Sequence, residues 1–340
     1  MAQHKLTAGP LLDQQGQLVE AGWGTQLVRT YDRSAIKAPW HRIKEWDYYC
    51  VQNERFALAM VVADNSYMGL LSLVWIDFET GTLHEDSVMP FLTRGRLEMP
   101  ASSEAGDIVL EREGMSLSFT HQPGGRMLRF SYPKFMDGAG LSGEIFLAQP
   151  EMDTMVIATP FQNAPKAFYY NQKINCMAAS GTACLGGETY TFEPSSSFGV
   201  LDWGRGVWTY ENTWYWGSAS GLHEGKPFGF NIGYGFGDVS AASENMVFFG
   251  GRAHKLDRLE FHIPQSGHCD EPWRFSSSDG RFEVQFDPLI DRYTHTDLKI
   301  IKVKTHQVFG TFSGTVILDD GTKLSIDGVR GFAEEVFNRW

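Results

Sequence analysis

Leu201–Gly221 reads LDWGRGVWTYENTWYWGSASG. Extended over Leu201–Val207, the chain sends Trp203 and Arg205 to one face and Asp202, Gly204 and Gly206 to the other, because side chains alternate along a strand. On the next run Trp214, Trp216, Ser218 and Ser220 share a face, with Trp208 between the two runs. Large planar rings beside small residues and isolated charges are the usual material of a ligand pocket in an all-β protein.

The same period of two extends outward in both directions. Lys44–Gln52, Phe56–Ala63 and Leu70–Phe78 are short β-branched or aromatic runs separated by turn residues such as Asp64-Asn65-Ser66 and Thr80-Gly81. Beyond the tryptophans, Pro227–Gly237 (PFGFNIGYGFG) puts Phe228, Phe230, Ile232, Tyr234 and Phe236 on one face and glycines with Asn231 on the other. Glycine weakens a strand interior, so something approaches that face closely: a ligand, or the rings of a neighbouring strand. Asp319-Asp320-Gly321 between alternating runs signals a hairpin. Helical periodicity is confined to Phe332–Trp340, where Glu335 and Arg339 stand at i,i+4, so a short C-terminal helix is expected. Many short strands with closely spaced turns specify an all-β class of barrels or sandwiches.

A chain of 340 residues exceeds what one core usually supports. Two β domains are therefore expected, residues 1–163 and 164–340, the second carrying the tryptophan segment. The net charge of −12 argues against a nucleic-acid partner and against electrostatic attraction to anionic membranes. No apolar run reaches the length of a spanning helix, and the N-terminus lacks a signal-peptide core, which predicts a cytoplasmic protein without an integral membrane segment. Cys50, Cys176, Cys184 and Cys269 are scattered; Cys176 and Cys184 flank an expected turn at Ala179-Ser180-Gly181 and read as two buried thiols rather than a disulfide.

The acid–base candidates are Asp202, Glu211, Glu244 and Glu334. Arg205, between two glycines, has room to reach a ligand carboxylate or carbonyl, or else to form a buried pair with Glu244 or Glu334. Trp203, Trp208, Trp214, Trp216, Asn231 and Tyr234 complete the candidate ligand-binding set. No histidine grouping has the spacing of a metal site, so no metal is expected. No nucleophile elbow or dinucleotide loop occurs, and any catalysis is expected to need no cofactor.

Five segments in order, LLDQQGQLVEAGW (11–23), KEWDYYCV (44–51), LDWGRGVW with WYWGSASG (201–221), SEN (243–245) and GVRGFAEEVFNRW (328–340), resemble a bacterial family, domain-of-unknown-function family 2804, over essentially the whole chain. More distantly, YYNQKINCMAASG (169–181) followed by the tryptophan segment is similar to the calycin-like hydroxyneurosporene synthase, AttH-like and tocopherol cyclase proteins. That resemblance implies two lipocalin-like antiparallel β-barrels packed together, a pocket at their junction, and apolar, often isoprenoid, ligands. The hydratase branch carries a tryptophan, any residue, aspartate and histidine where this chain has Trp203, Gly204, Arg205 and Gly206, so its chemistry does not transfer.

Three functions follow. The first is a calycin-like protein enclosing an apolar or amphipathic small molecule, with or without acid–base chemistry. The second is a carbohydrate-active protein stacking sugars on Trp203, Trp214 and Trp216. The third is a structural module whose aromatics join two barrels.

Overall fold

The computed structural model describes residues 3–340 and is almost entirely β, 62% strand and 3% helix. Two large antiparallel sheets organise it, one a nearly closed barrel and the other a half-barrel. The first runs in the order Thr82–Val88, Gly69–Asp77, Phe56–Asp64, Ile43–Gln52, Phe198–Val207, Ala164–Leu185, Leu141–Ala148, Gly125–Tyr132, Met115–Gln122 and Ile108–Arg112. Met155–Phe161, Glu188–Phe192 and Gly22–Gly24 pair beside this path. The second runs Arg252–Lys255, Met246–Phe249, Lys226–Tyr234, Glu211–His223, Lys323–Arg339, Lys302–Ile317, Phe282–Asp297, Trp273–Ser277 and Leu259–His262. Its last strand curls back toward Lys226–Tyr234, where Phe261 N donates to Tyr234 Oη at 3.4 Å.

The change of sheet falls between Val207 and Glu211. The turn at 162–163 joins two paired strands of the first sheet, Met155–Phe161 and Ala164–Leu185. The tryptophan segment therefore straddles the sheets rather than belonging to one: Trp203 lies in the first, Trp214 and Trp216 in the second.

Three local expectations are corrected. Phe332–Trp340 is not a helix; Lys323–Arg339 is a strand hydrogen-bonded on both sides, to Glu211–His223 and Lys302–Ile317. The expected Glu335–Arg339 pair gives way because Glu335 accepts from Tyr215 Oη at 3.0 Å and Arg339 donates to Lys299 O. Tertiary pairing of Phe332, Val336 and Phe337 outweighs a weak helical pattern. Ala179-Ser180-Gly181 is no turn, because Ala164–Leu185 runs straight through it. The chain's irregularity lies at Asn175 and Cys176, a β-bulge with Cys176 at φ 62°. All four cysteines are free. The Asp320-Gly321 hairpin forms as read, with Ile317 opposite Lys323.

The bulge fastens the two sheets together. It pushes Asn175 and Cys176 out of the first sheet toward the second. Asn175 Nδ2 donates to Ser218 Oγ (2.8 Å) and Phe230 O (3.0 Å), and Cys176 N donates to Ser220 Oγ at 3.0 Å. The face shared by Trp214, Trp216, Ser218 and Ser220 is thus the face turned to the first barrel. Its two hydroxyls bond protein, and Trp216 joins a hydrophobic core that runs from the first barrel across the junction to Phe236, Phe248, Phe309 and Phe332. A second core fills the other barrel with Phe228, Phe230, Trp273, Phe275, Phe286 and Phe312.

Candidate functional site

A cavity of about 220 Å³ lies at the junction, lined by Lys44, Trp46, Val61, Ala63, Asn65, Leu70, Asp202, Trp208, Trp214, Trp216, Phe236, Glu334 and Trp340. Its aromatic wall is built from both sheets. Trp208 packs edge-on to Trp46 (5.8 Å between ring centroids) and Trp214 (5.3 Å), and Phe236 stacks on Tyr169 at 4.8 Å. Gly204 makes room for Trp46, its cross-strand partner: a Cβ there would lie 2.1 Å from the indole. The glycine beside the tryptophans thus serves the cavity wall.

Two carboxyls open into this cavity. Asp202 faces Lys173 directly across the first sheet, and their side chains meet at 2.7 Å. Asn171 Nδ2 donates to the other Asp202 oxygen at 2.6 Å. The Lys173 ammonium also sits 3.7 Å over the Trp216 ring. Glu334, from the second sheet, accepts from Trp214 Nε1 at 3.0 Å and Gln307 Nε2 at 3.2 Å. Burial pushes its pKa up to about 7, against the Trp214 hydrogen bond and the Lys173 charge, so it exchanges its proton near neutrality.

Glu244 stands outside the lining, packed so tightly on Gly233 that a Cβ there would come within 2.5 Å of its Oε1. Burial raises it to about 7 as well, and both its oxygens lack a protein partner. Tyr169 Oη, Asn171 Oδ1 and Trp208 Nε1 are likewise buried and unpaired. Unpaired buried polar atoms are uncommon, and a group of them marks a place where a water or ligand belongs.

The other sequence candidates go elsewhere. Arg205 is fully buried beneath Trp203, with its Cζ 4.4 Å from the ring centroid. It donates to Asp47 Oδ1 (2.9 Å), Trp46 O (2.7 Å) and Pro100 O (2.8 Å). Its partner is therefore Asp47, neither Glu244 nor Glu334. Trp203 packs against Tyr31 and Tyr170, away from the cavity. Asn231 bridges Trp216 Nε1 (2.7 Å) and Glu244 O (3.0 Å). Tyr234 packs with Tyr215 and Phe261 against the second core, and Glu211 is exposed. The glycine face of Lys226–Tyr234 lies against protein: Gly229 meets Cys176 and Gly233 meets Glu244.

Sequence reading missed Lys44, Trp46, Lys173 and Trp340. Burial lowers Lys44 to about 7, and its Nζ rests 4.0 Å from the Tyr67 ring and 4.9 Å from that of Trp340. The signal available was parity: Lys44 and Trp46 alternate in the KEWDYYCV run. Away from the cavity, His268, Asp291 and His306 come within 4.8 Å of one another. Each imidazole is held by its own carboxylate, His306 by Asp291 at 2.6 Å and His268 by Glu335 at 2.9 Å, and the rings stack at 3.6 Å.

No helix among the described residues is long and apolar enough to cross a membrane. No curated protein matches the chain in sequence. Among solved structures, an AttH-like protein from Nitrosomonas europaea is similar, with 14% identity, a TM-score of 0.55, and coverage of 92% of this chain and 98% of that one. Kievitone hydratase from Nectria haematococca is similar with 10% identity, a TM-score of 0.51 and 98% of each chain covered. CghA with Sch210972 is similar with 11% identity, a TM-score of 0.54, and 98% and 97% covered. At these identities the likeness shows a shared calycin-like fold. The model of one family, described as Domain of unknown function (DUF2804), matches residues 3–340, and the chain belongs to that family.

Proposed function

We propose that the junction cavity binds an apolar or amphipathic small molecule and that Glu334 and Asp202 move protons on it. The observation that carries this reading is the cavity itself: about 220 Å³ walled by Trp46, Trp208, Trp214, Trp216 and Phe236, with two carboxyls on its surface. The indoles supply apolar contact, and the few polar groups fix orientation. Glu334, with its pKa near 7, gives or takes a proton at neutral pH. Asp202, tied to the Lys173 ammonium, is the accepting partner. The neighbours described as kievitone hydratase and as CghA with Sch210972 are in keeping with this reading. Stacking of sugars on Trp203 draws no support, since that ring is itself fully buried and packed against the Arg205 guanidinium.

The test is titration with cis-parinaric acid, an apolar polyene excited by energy transfer from nearby tryptophans. Saturable one-to-one transfer that is lost in Ala63→Phe, which fills the cavity, supports the reading. Absence of saturable transfer, or transfer unchanged by Ala63→Phe, overturns it.

A further inference from the structure

We propose that the rim of this cavity docks on an anionic membrane surface, so that the ligand enters from the bilayer; this rests on the cavity reading above. The rim has two lips. On one, Phe91 and Leu92 are exposed, Phe91 by 79%. They lie in the segment that follows the strand Thr82–Val88, bridged to the start of Gly69–Asp77, which leads to the cavity: Phe91 pairs with Met68, Leu92 N bonds Tyr67 O, Gly69 N bonds Pro90 O, and Leu70 lines the cavity. On the other lip, the hairpin tip exposes Leu298 by 64% and Ile300 by 71%. Ile300 O accepts from Tyr210 Oη, and Tyr210 O accepts from the backbone of Trp340, itself a cavity wall. Lys44 joins the lips, its ammonium lying over both the Tyr67 and Trp340 rings.

Basic residues accompany these apolar groups. Arg94 and Arg96 follow Leu92, with the Arg94 guanidinium 4.5 Å from the exposed Trp40 ring. Lys299 and Lys304 are exposed at or near the hairpin tip, and Lys302 pairs with Asp297. Arg42 donates to Trp340 O at the mouth itself. On a chain of net charge −12, cations gathered around protruding phenylalanine, leucine and isoleucine side chains form a local complement to anionic headgroups. Exposed apolar side chains ringed by Lys and Arg are the pattern of interfacial anchoring, with aliphatic tips in the acyl boundary and charges at the phosphates. The overall charge, which taken alone predicts repulsion from such a surface, then orients the molecule with its rim toward the bilayer.

The experiment is vesicle flotation of the full chain with phosphatidylcholine vesicles, with and without phosphatidylglycerol, at low and raised salt. Wild type should float with the anionic vesicles only and release as salt rises. Phe91→Ser/Ile300→Ser and Arg94→Glu/Lys299→Glu should each lower partitioning roughly tenfold or more, since each basic residue near an anionic surface contributes on the order of a fivefold effect. These positions are exposed, so an unchanged melting curve confirms that the variants fold. Wild type that stays unbound, that binds pure phosphatidylcholine equally well, or that is matched by both variants overturns the proposal. Parinaric acid added from solution separates the two readings: it should saturate wild type and docking variants alike. Flotation without parinaric acid binding overturns the cavity reading and leaves the docking surface; binding without flotation does the reverse.

Discussion

Lys173 and Asp202 are cross-strand partners in the first sheet, and their side chains close to 2.7 Å with the Trp216 ring of the second sheet 3.7 Å from the ammonium. The pair stands where the two barrels meet, and one of its members opens into the cavity. Removing one charge leaves the other buried without compensation, which commonly costs ~3–5 kcal/mol. Asp202→Asn should therefore lower stability in a urea titration by about that amount. The double variant Asp202→Asn/Lys173→Met should recover part of it; strict additivity of the two losses would show that the ion pair is not the cause.

Arg205 offers a contrast. Its guanidinium satisfies Asp47 and the carbonyls of Trp46 and Pro100 inside the first barrel, at zero exposure. Arg205→Ala should destabilise the fold by about 3–5 kcal/mol, while the folded fraction still binds parinaric acid. Loss of binding at unchanged stability would give Arg205 a role at the ligand after all.

Gly204→Ala places a methyl 2.1 Å from the Trp46 indole. The ring must leave its place on the cavity wall, an overpacking cost of about 1–3 kcal/mol. The variant should melt earlier and transfer less energy to parinaric acid. Wild-type values for both would mean that Trp46 does not rest on Gly204.

Stability should show a trough near neutral pH. Glu334 and Glu244 are raised by burial to about 7, so between roughly pH 4.5 and 7 the unfolded chain loses protons that the native chain keeps, and stability falls as pH rises. Lys44 and Lys255 are lowered to about 7, so above neutrality the native chain holds fewer protons than the unfolded one and stability recovers toward pH 10. Glu334→Gln should flatten the acid limb of denaturation midpoints measured across pH and leave the alkaline limb unchanged. An acid limb identical to wild type would place the Glu334 pKa near its ordinary value.

The strands were legible because alternation is local, and so were the shared face of Trp214 and Trp216 and the opposite orientation of Asp202 and Arg205. Partner choice was not legible. Arg205 pairs with Asp47, 158 positions away, and nothing in the spacing of either residue announces the other. Lys173 escaped notice because it lies in a strand that reads as ordinary core. Its role comes from register with Asp202 and from a ring on another sheet. The C-terminal strand was misjudged for a related reason: it owes its conformation to two neighbouring strands, and isolated periodicity cannot report them. The site itself arises at a junction, so its lining is drawn from both sheets, from Lys44 to Trp340.

The most direct test of the junction cavity as a binding site is native mass spectrometry of the freshly purified chain beside its Ala63→Phe variant. Wild type should retain a bound small molecule, released into organic solvent, that the variant lacks. Wild type carrying no adduct and gaining none from an added panel of lipids and polyenes would contradict the account.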